Sequence, residues 1–114
     1  LSKSDPMFGS AMDWNEGFKK DYPSYTSVPY QSAQASAAVY VWKEGFEAAN
    51  SFDKDTVRDA IAAVEMETFY GDIKFSEAGN NIAKPMFMRQ IGSDGSYTLV
   101  ESFDDVSYPR NVTY

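Results

Sequence analysis

Asp53-Lys54-Asp55-Thr56-Val57-Arg58-Asp59-Ala60-Ile61 and, a short connection later, Thr68-Phe69-Tyr70-Gly71-Asp72-Ile73-Lys74-Phe75 decide how this chain folds. Asp53 is a residue type that accepts bonds from free amides at a helix start, and Val57, Ala60, Ile61 and Val64 fall on one helical face behind it. Glu65 to Thr68 reads as the way out of that helix. From Phe69 to Phe75 the period drops to two, with Ile73 and Phe75 on one side and Lys74 on the other, as in a half-buried strand. A helix feeding a strand puts the chain in the α/β class.

Downstream, Glu77-Ala78-Gly79-Asn80-Asn81 reads as a turn. Met86 to Ile91 and Tyr97 to Glu101 read as strands, and Gly92-Ser93-Asp94-Gly95 between them predicts a hairpin. Upstream, a long helix is expected from Ser32 to Ala49, with Ala35, Ala38, Val39, Trp42, Phe46 and Ala49 as its apolar stripe. Its first half is nearly all small or apolar, so burial on more than one side is expected. Residues 23–31, with two prolines, read as a loop with a short extended piece. Ser4-Asp5-Pro6 predicts a further helix start, with Asp5 as cap and Met7, Ala11, Trp14, Phe18 and Tyr22 as the stripe, ended by Tyr22-Pro23. The expected architecture is therefore three helices plus a small sheet with a C-terminal β-hairpin.

With 114 residues the chain is at most one domain, large enough for one hydrophobic core. Ten basic and 17 acidic residues give a formal charge of -7, and the cations are scattered. That disfavours nucleic acid and anionic membrane surfaces, which need clustered positive charge. The absence of histidine and cysteine removes imidazole acid-base chemistry, thiol nucleophiles and the usual zinc sites. No apolar run approaches the roughly 20 residues of a membrane span, and the opening from Leu1 lacks a signal peptide's apolar stretch. The expectation is a processed or excised piece whose export signal was removed or lies upstream.

The order of elements and the residues filling them resemble the closing third or so of the type I periplasmic binding proteins that serve branched-chain amino acid, amide and urea ABC transporters. Asp53 to Ile61 looks like that family's "D-x-x-x-V-R-D-A-L" helix, and Thr68 to Phe75 like its "T-F-F-G-x-I-x-F" strand. Gly79-Asn80-Asn81-Ile82-Ala83-Lys84-Pro85 with Gln90-Ile91 is similar to the turn and return strand that follow. The likeness runs from about Ser4 to Val100. Ser36 stands where the family often has an aromatic residue, and Asn50 where it often has glycine. Nothing regular in the family matches the acidic-aromatic tail. The resemblance implies that residues 1–101 are a segment of the C-terminal lobe of a type I periplasmic-binding-protein fold and residues 102–114 a tail.

It also implies a site. Two α/β lobes of that family close over a solute, and the loop entering the long helix faces the cleft. Tyr30, Gln31 and Ser32 occupy that loop and are the candidate ligand-binding residues: a ring with a hydroxyl, an amide that donates and accepts, and a helix start that favours a carboxylate. The competing reading makes Tyr30 a packing residue and Ser32 a helix cap. Trp14 and Trp42 have the chemistry of stacking platforms for a sugar or ring, but both fall on apolar helical stripes and are expected in the core, as are Met86 and Met88. The carboxylate pairs Asp53/Asp55, Glu65/Glu67 and Asp104/Asp105 fit neither a calcium loop nor an acid-base pair, and Asn111-Val112-Thr113 is a chance-frequency glycosylation triplet.

The resulting expectation is an extracytoplasmic, periplasmic, non-enzymatic protein without a cofactor. It captures a small polar metabolite such as an amino acid or amide, closes with a missing N-terminal lobe, and delivers to an ABC permease. A ligand-sensing receptor domain using the same fold is the alternative. One wall of a cleft alone would bind solute very weakly, and surface normally covered by the rest of the protein would favour self-association.

Overall fold

The computed structural model describes residues 3–103, and for residues 102 and 103 the backbone alone. The Asp104/Asp105 pair, the triplet at 111–113, the opening at Leu1 and almost all of the tail lie outside the described residues.

The chain does not start with a helix at Asp5. Ser4–Asp5 (β1) instead pairs antiparallel with Gly9–Ser10 (β2), Asp5 facing Gly9. Asp5 does cap free amides, but those of a turn: its Oδ1 accepts from the backbone N–H groups of Met7 at 2.9 Å and Phe8 at 2.7 Å. Gly9 then takes φ +72°, which no helix running through it would tolerate. The helix proper is Ala11–Asp21 (α1), opened by a capping box in which the Asp13 amide donates to Ser10 Oγ at 3.2 Å and the Ser10 amide to Asp13 Oδ2 at 2.7 Å. Met7 thus falls out of the stripe, while Trp14, Phe18 and Tyr22 remain in it with ring centroids 5.4 and 4.9 Å apart. Tyr22 is the C-cap, as its following proline predicts.

After an irregular segment without a strand comes Tyr30–Ala49 (α2), which starts two residues earlier than expected. Its buried face is not the predicted one. Ala37, Tyr40, Val41 and Gly45 are buried, whereas Val39 is 63% and Trp42 57% exposed. The reason is Gly45: a Cβ there would stand 2.3 Å from Ile61 Cγ1, so only a bare backbone lets the next helix come this close. That helix is Lys54–Ala62 (α3), capped by Asp53, whose carboxylate accepts from the Thr56 amide at 2.9 Å. Between the two, Asn50 closes α2 in the left-handed region at φ 44°, a role commonest for glycine and tolerated by asparagine.

The connection Glu65 to Thr68 turns out to be a strand (β3), paired antiparallel with Gly71–Lys74 (β4). Phe69 and Tyr70, expected to begin the strand, form the reversal between them. Thr68, fully buried, donates its hydroxyl to the Gly71 carbonyl at 2.8 Å, and Gly71 takes φ +132° to complete the turn. Ile73 is buried, and Phe75, half-buried beyond it, bridges Asn81 across the expected turn.

Phe69 is the hub of the core. Its ring stacks on Trp14 at 5.3 Å and 17°, meets Phe8 edge-on at 5.3 Å, and its amide donates to Asp5 Oδ2 at 2.7 Å. Trp14 therefore packs inward as expected; Trp42 does not.

The last elements are the predicted hairpin, Met86–Ile91 (β5) and Tyr97–Phe103 (β6), with a bulge between Met88 and Arg89 and Gly95 at φ +80° in the turn. Residues 86–91 and 97–101 are all exposed. Met86 and Met88 are 49% and 53% exposed and fill no core, because no described element lies over either face of the ribbon. Their alternation signals a strand correctly without supplying the partner that burial needs. The observed class is α/β, with three helices and three two-stranded antiparallel sheets among the described residues.

Candidate ligand-binding site

The candidate site is built on the first turn of α2. Pro29, its N-cap, has no side chain able to accept a hydrogen bond, and no acidic residue stands in the first turn. The Ser32 amide folds back to the Pro29 carbonyl at 3.0 Å. The amides of Tyr30 and Gln31 precede the first possible intrahelical bond, so the positive end of a 20-residue helix is presented without a carboxylate to answer it.

Tyr30, Gln31 and Ser32 are thus helical, not part of a loop. The cap belongs to Pro29, so Ser32 is not one, and Tyr30 is 67% exposed, so it is not a packing residue. Successive helical residues point about 100° apart, and the three do not converge on one point. Tyr30 lines a groove of about 480 Å³ with Met12, Asn15, Val28 and Tyr70. Ser32 lines a second groove of about 690 Å³ with Phe18, Tyr25 and Ser36. Gln31 is exposed and lines neither.

Trp14 is the wall that both grooves share. Its indole Nε1–H donates to Ser36 Oγ at 3.1 Å, which fixes the ring between α1 and α2. A side chain without a hydroxyl where Ser36 stands would take this acceptor away. The sequence offered Trp14 as a stacking platform but favoured packing, because nothing in its spacing distinguishes a core ring from one with a second, open edge.

The electrostatics of the grooves differ. Among the described residues no acid lines the Tyr30 groove, and on its Tyr70 side Lys84 Nζ lies 3.0 Å from the ring centroid. The Ser32 groove carries Asp13 and Asp21. The hydroxyl and amide of Ser10 hold the Asp13 carboxyl below its ordinary value, so it is anionic at neutral pH.

The remaining carboxylate pairs are occupied structurally. Asp53 caps α3, Glu65 meets Lys74 at 2.8 Å, and Glu67 meets Lys3 at 3.3 Å, with Asp72 on the same ammonium. Among the described residues no three acidic side chains gather as a metal site would require. Nor is any helix there long and apolar enough to cross a membrane.

Compared with known proteins, residues 5–96, well over half of the chain, match the family model described as periplasmic binding protein. No solved structure matches the chain.

Proposed function

Because this chain belongs to the type I periplasmic binding proteins, we propose that it takes a small polar solute, an amino acid or amide, at the first turn of α2 and serves an ABC importer. The family's role is ligand binding outside the cytoplasm, and its members are generally not enzymes. The observation that carries the finer reading is the uncapped start of α2, set between two grooves that share Trp14. Free amides at a helix start hold a carboxylate or a carbonyl oxygen, and Tyr30 and Asn15 add a hydroxyl and an amide within the adjoining groove.

Both grooves are open to solvent, which suits one wall of a cleft closed by a second lobe through a hinge. In this reading residues 1–101 are a lobe segment and 102–114 a tail. The outward face of α2 with Val39, Trp42 and Phe46, and both faces of β5–β6, are then surfaces that the rest of a two-lobed protein covers.

The test is amide NMR of the 114-residue chain titrated with a panel of amino acids and amides. Shifts centred on the Tyr30 and Gln31 amides, saturating at about millimolar concentration or above, support the reading. Micromolar affinity without a second lobe contradicts the shared cleft, and shifts confined to other elements contradict the location.

A further inference from the structure

The groove on the Ser32 side of Trp14 differs in composition from the one on the Tyr30 side. We propose that it receives a small organic cation, a quaternary ammonium or a protonated amine with an apolar body. The proposal rests on the reading of the α2 start as a solute site, since Ser32 and Ser36 close this groove on that side.

Three observations converge. The first is aromatic: Trp14, Phe18 and Tyr25 line the groove, and Phe18 and Tyr25 meet at 74° with centroids 5.7 Å apart, a corner and not a flat stack. Aromatic faces at the wall of a concave site attract a desolvated cation through their quadrupole.

The second is charge. Asp13 and Asp21 lie eight residues apart on the same face of α1, about 12 Å along its axis, at either end of the groove. Among the described residues no lysine or arginine lines it and no cation pairs with either carboxylate. A carboxylate or phosphate entering here would meet two like charges. An ammonium would find two opposite ones.

The third is Gly17, which lies between the two acids on the groove floor. Glycine in a helix interior weakens the helix relative to alanine, and here no packing contact requires it, because a Cβ would meet nothing within 4 Å. A helical position kept bare toward open space leaves room for an occupant lying against the backbone. The groove volume of about 690 Å³ is in the range of small-molecule sites.

The experiment follows the Trp14 indole N–H by NMR while the 114-residue chain is titrated with choline and, separately, with its neutral carbon isostere 3,3-dimethylbutan-1-ol. Saturable shifts at about millimolar choline are expected, with the alcohol about ten-fold weaker. Asp21→Asn should weaken choline about five-fold. Gly17→Leu should abolish binding without lowering the melting temperature, because leucine is the better helix former. Equal binding of the alcohol, choline binding undiminished in Gly17→Leu, or no Trp14 response to choline up to about 100 mM overturns the proposal. If Tyr30 and Gln31 respond to amino acids while Trp14 ignores choline, this inference alone fails; if neither responds, the solute site itself fails with it.

Discussion

The segment from Asp5 to Phe75 and the ribbon of β5 and β6 are about equally apolar to read, yet only the first has an inside. In the first, Ala37, Tyr40, Val41, Val57, Phe69 and Ile73 are each at most 7% exposed. In the second, Met86, Phe87, Met88, Ile91, Leu99 and Val100 are between 47% and 67% exposed. Hydrophobic character sets what a side chain gains from burial, but a packed neighbour decides whether it is buried. The first region is held by interdigitated side chains and the second mainly by its own hydrogen-bond ladder, which alone is marginally stable in water.

That contrast is sharpest at Phe69. Phe69→Ala removes the ring that Trp14 and Phe8 pack upon and should cost about 4 kcal/mol in denaturant unfolding; a cost below about 1 kcal/mol would mean that the helical region is as loosely held as the ribbon. Asp5→Ala leaves the buried Phe69 amide and two turn amides without their acceptor and should cost about 2 kcal/mol. Asp5→Asn, which keeps one acceptor oxygen, should recover part of that loss.

Asp53 gives a smaller effect with a signature in pH. Bonds from the Thr56 amide and hydroxyl hold its carboxyl below its ordinary value. A depressed folded-state value stabilises the helix above the unfolded aspartate range and loses that contribution as pH falls through the folded value, so the window lies below about pH 4. Asp53→Ala should lower the melting temperature at pH 7, and the gap to the parent chain should close on acidification. A gap unchanged at pH 2 would show that the cap does not act through its charge.

The smallest expected effect is in the ribbon. Leu99→Thr should change stability by no more than about 0.5 kcal/mol, since both residues suit an exposed strand. A loss above about 2 kcal/mol would mean that some part of the chain covers β6 after all.

The same contrast explains what the sequence made legible. Local chemistry was readable wherever it is self-sufficient. Asp53 announces the start of α3, Gly92 to Gly95 the turn of the ribbon, and Tyr22-Pro23 the end of α1. The left-handed Asn50 was visible only as a departure from glycine.

Readings failed where a distant group competes. Asp5-Pro6 has the chemistry of a helix start, but the Phe69 amide, 64 residues on, claims the carboxylate. The real cap was signalled by Ser10-Ala11-Met12-Asp13, a capping box closed by aspartate instead of the commoner glutamate. On α2 both faces are rich in small or apolar residues, so periodicity alone favoured the larger stripe. Gly45, spaced by fours from Val41 and Ala37, was the clue to the close-packed face. Tyr30 to Ser32 were placed correctly at the entrance of α2 but taken for loop, because Pro29 opens the helix with no capping side chain to mark it.

The Asp5 carboxylate has a kinetic consequence. By gripping the Phe69 amide it fastens the two ends of a 64-residue closure. The entropic cost of such a closure rises with the logarithm of its length, so this clasp forms only after the helices between its ends have already condensed. The opening strand should therefore dock late in folding and detach early in unfolding. A burst of exchange at the Phe69 amide, ahead of the amides of α2, would be the first sign of the molecule coming apart.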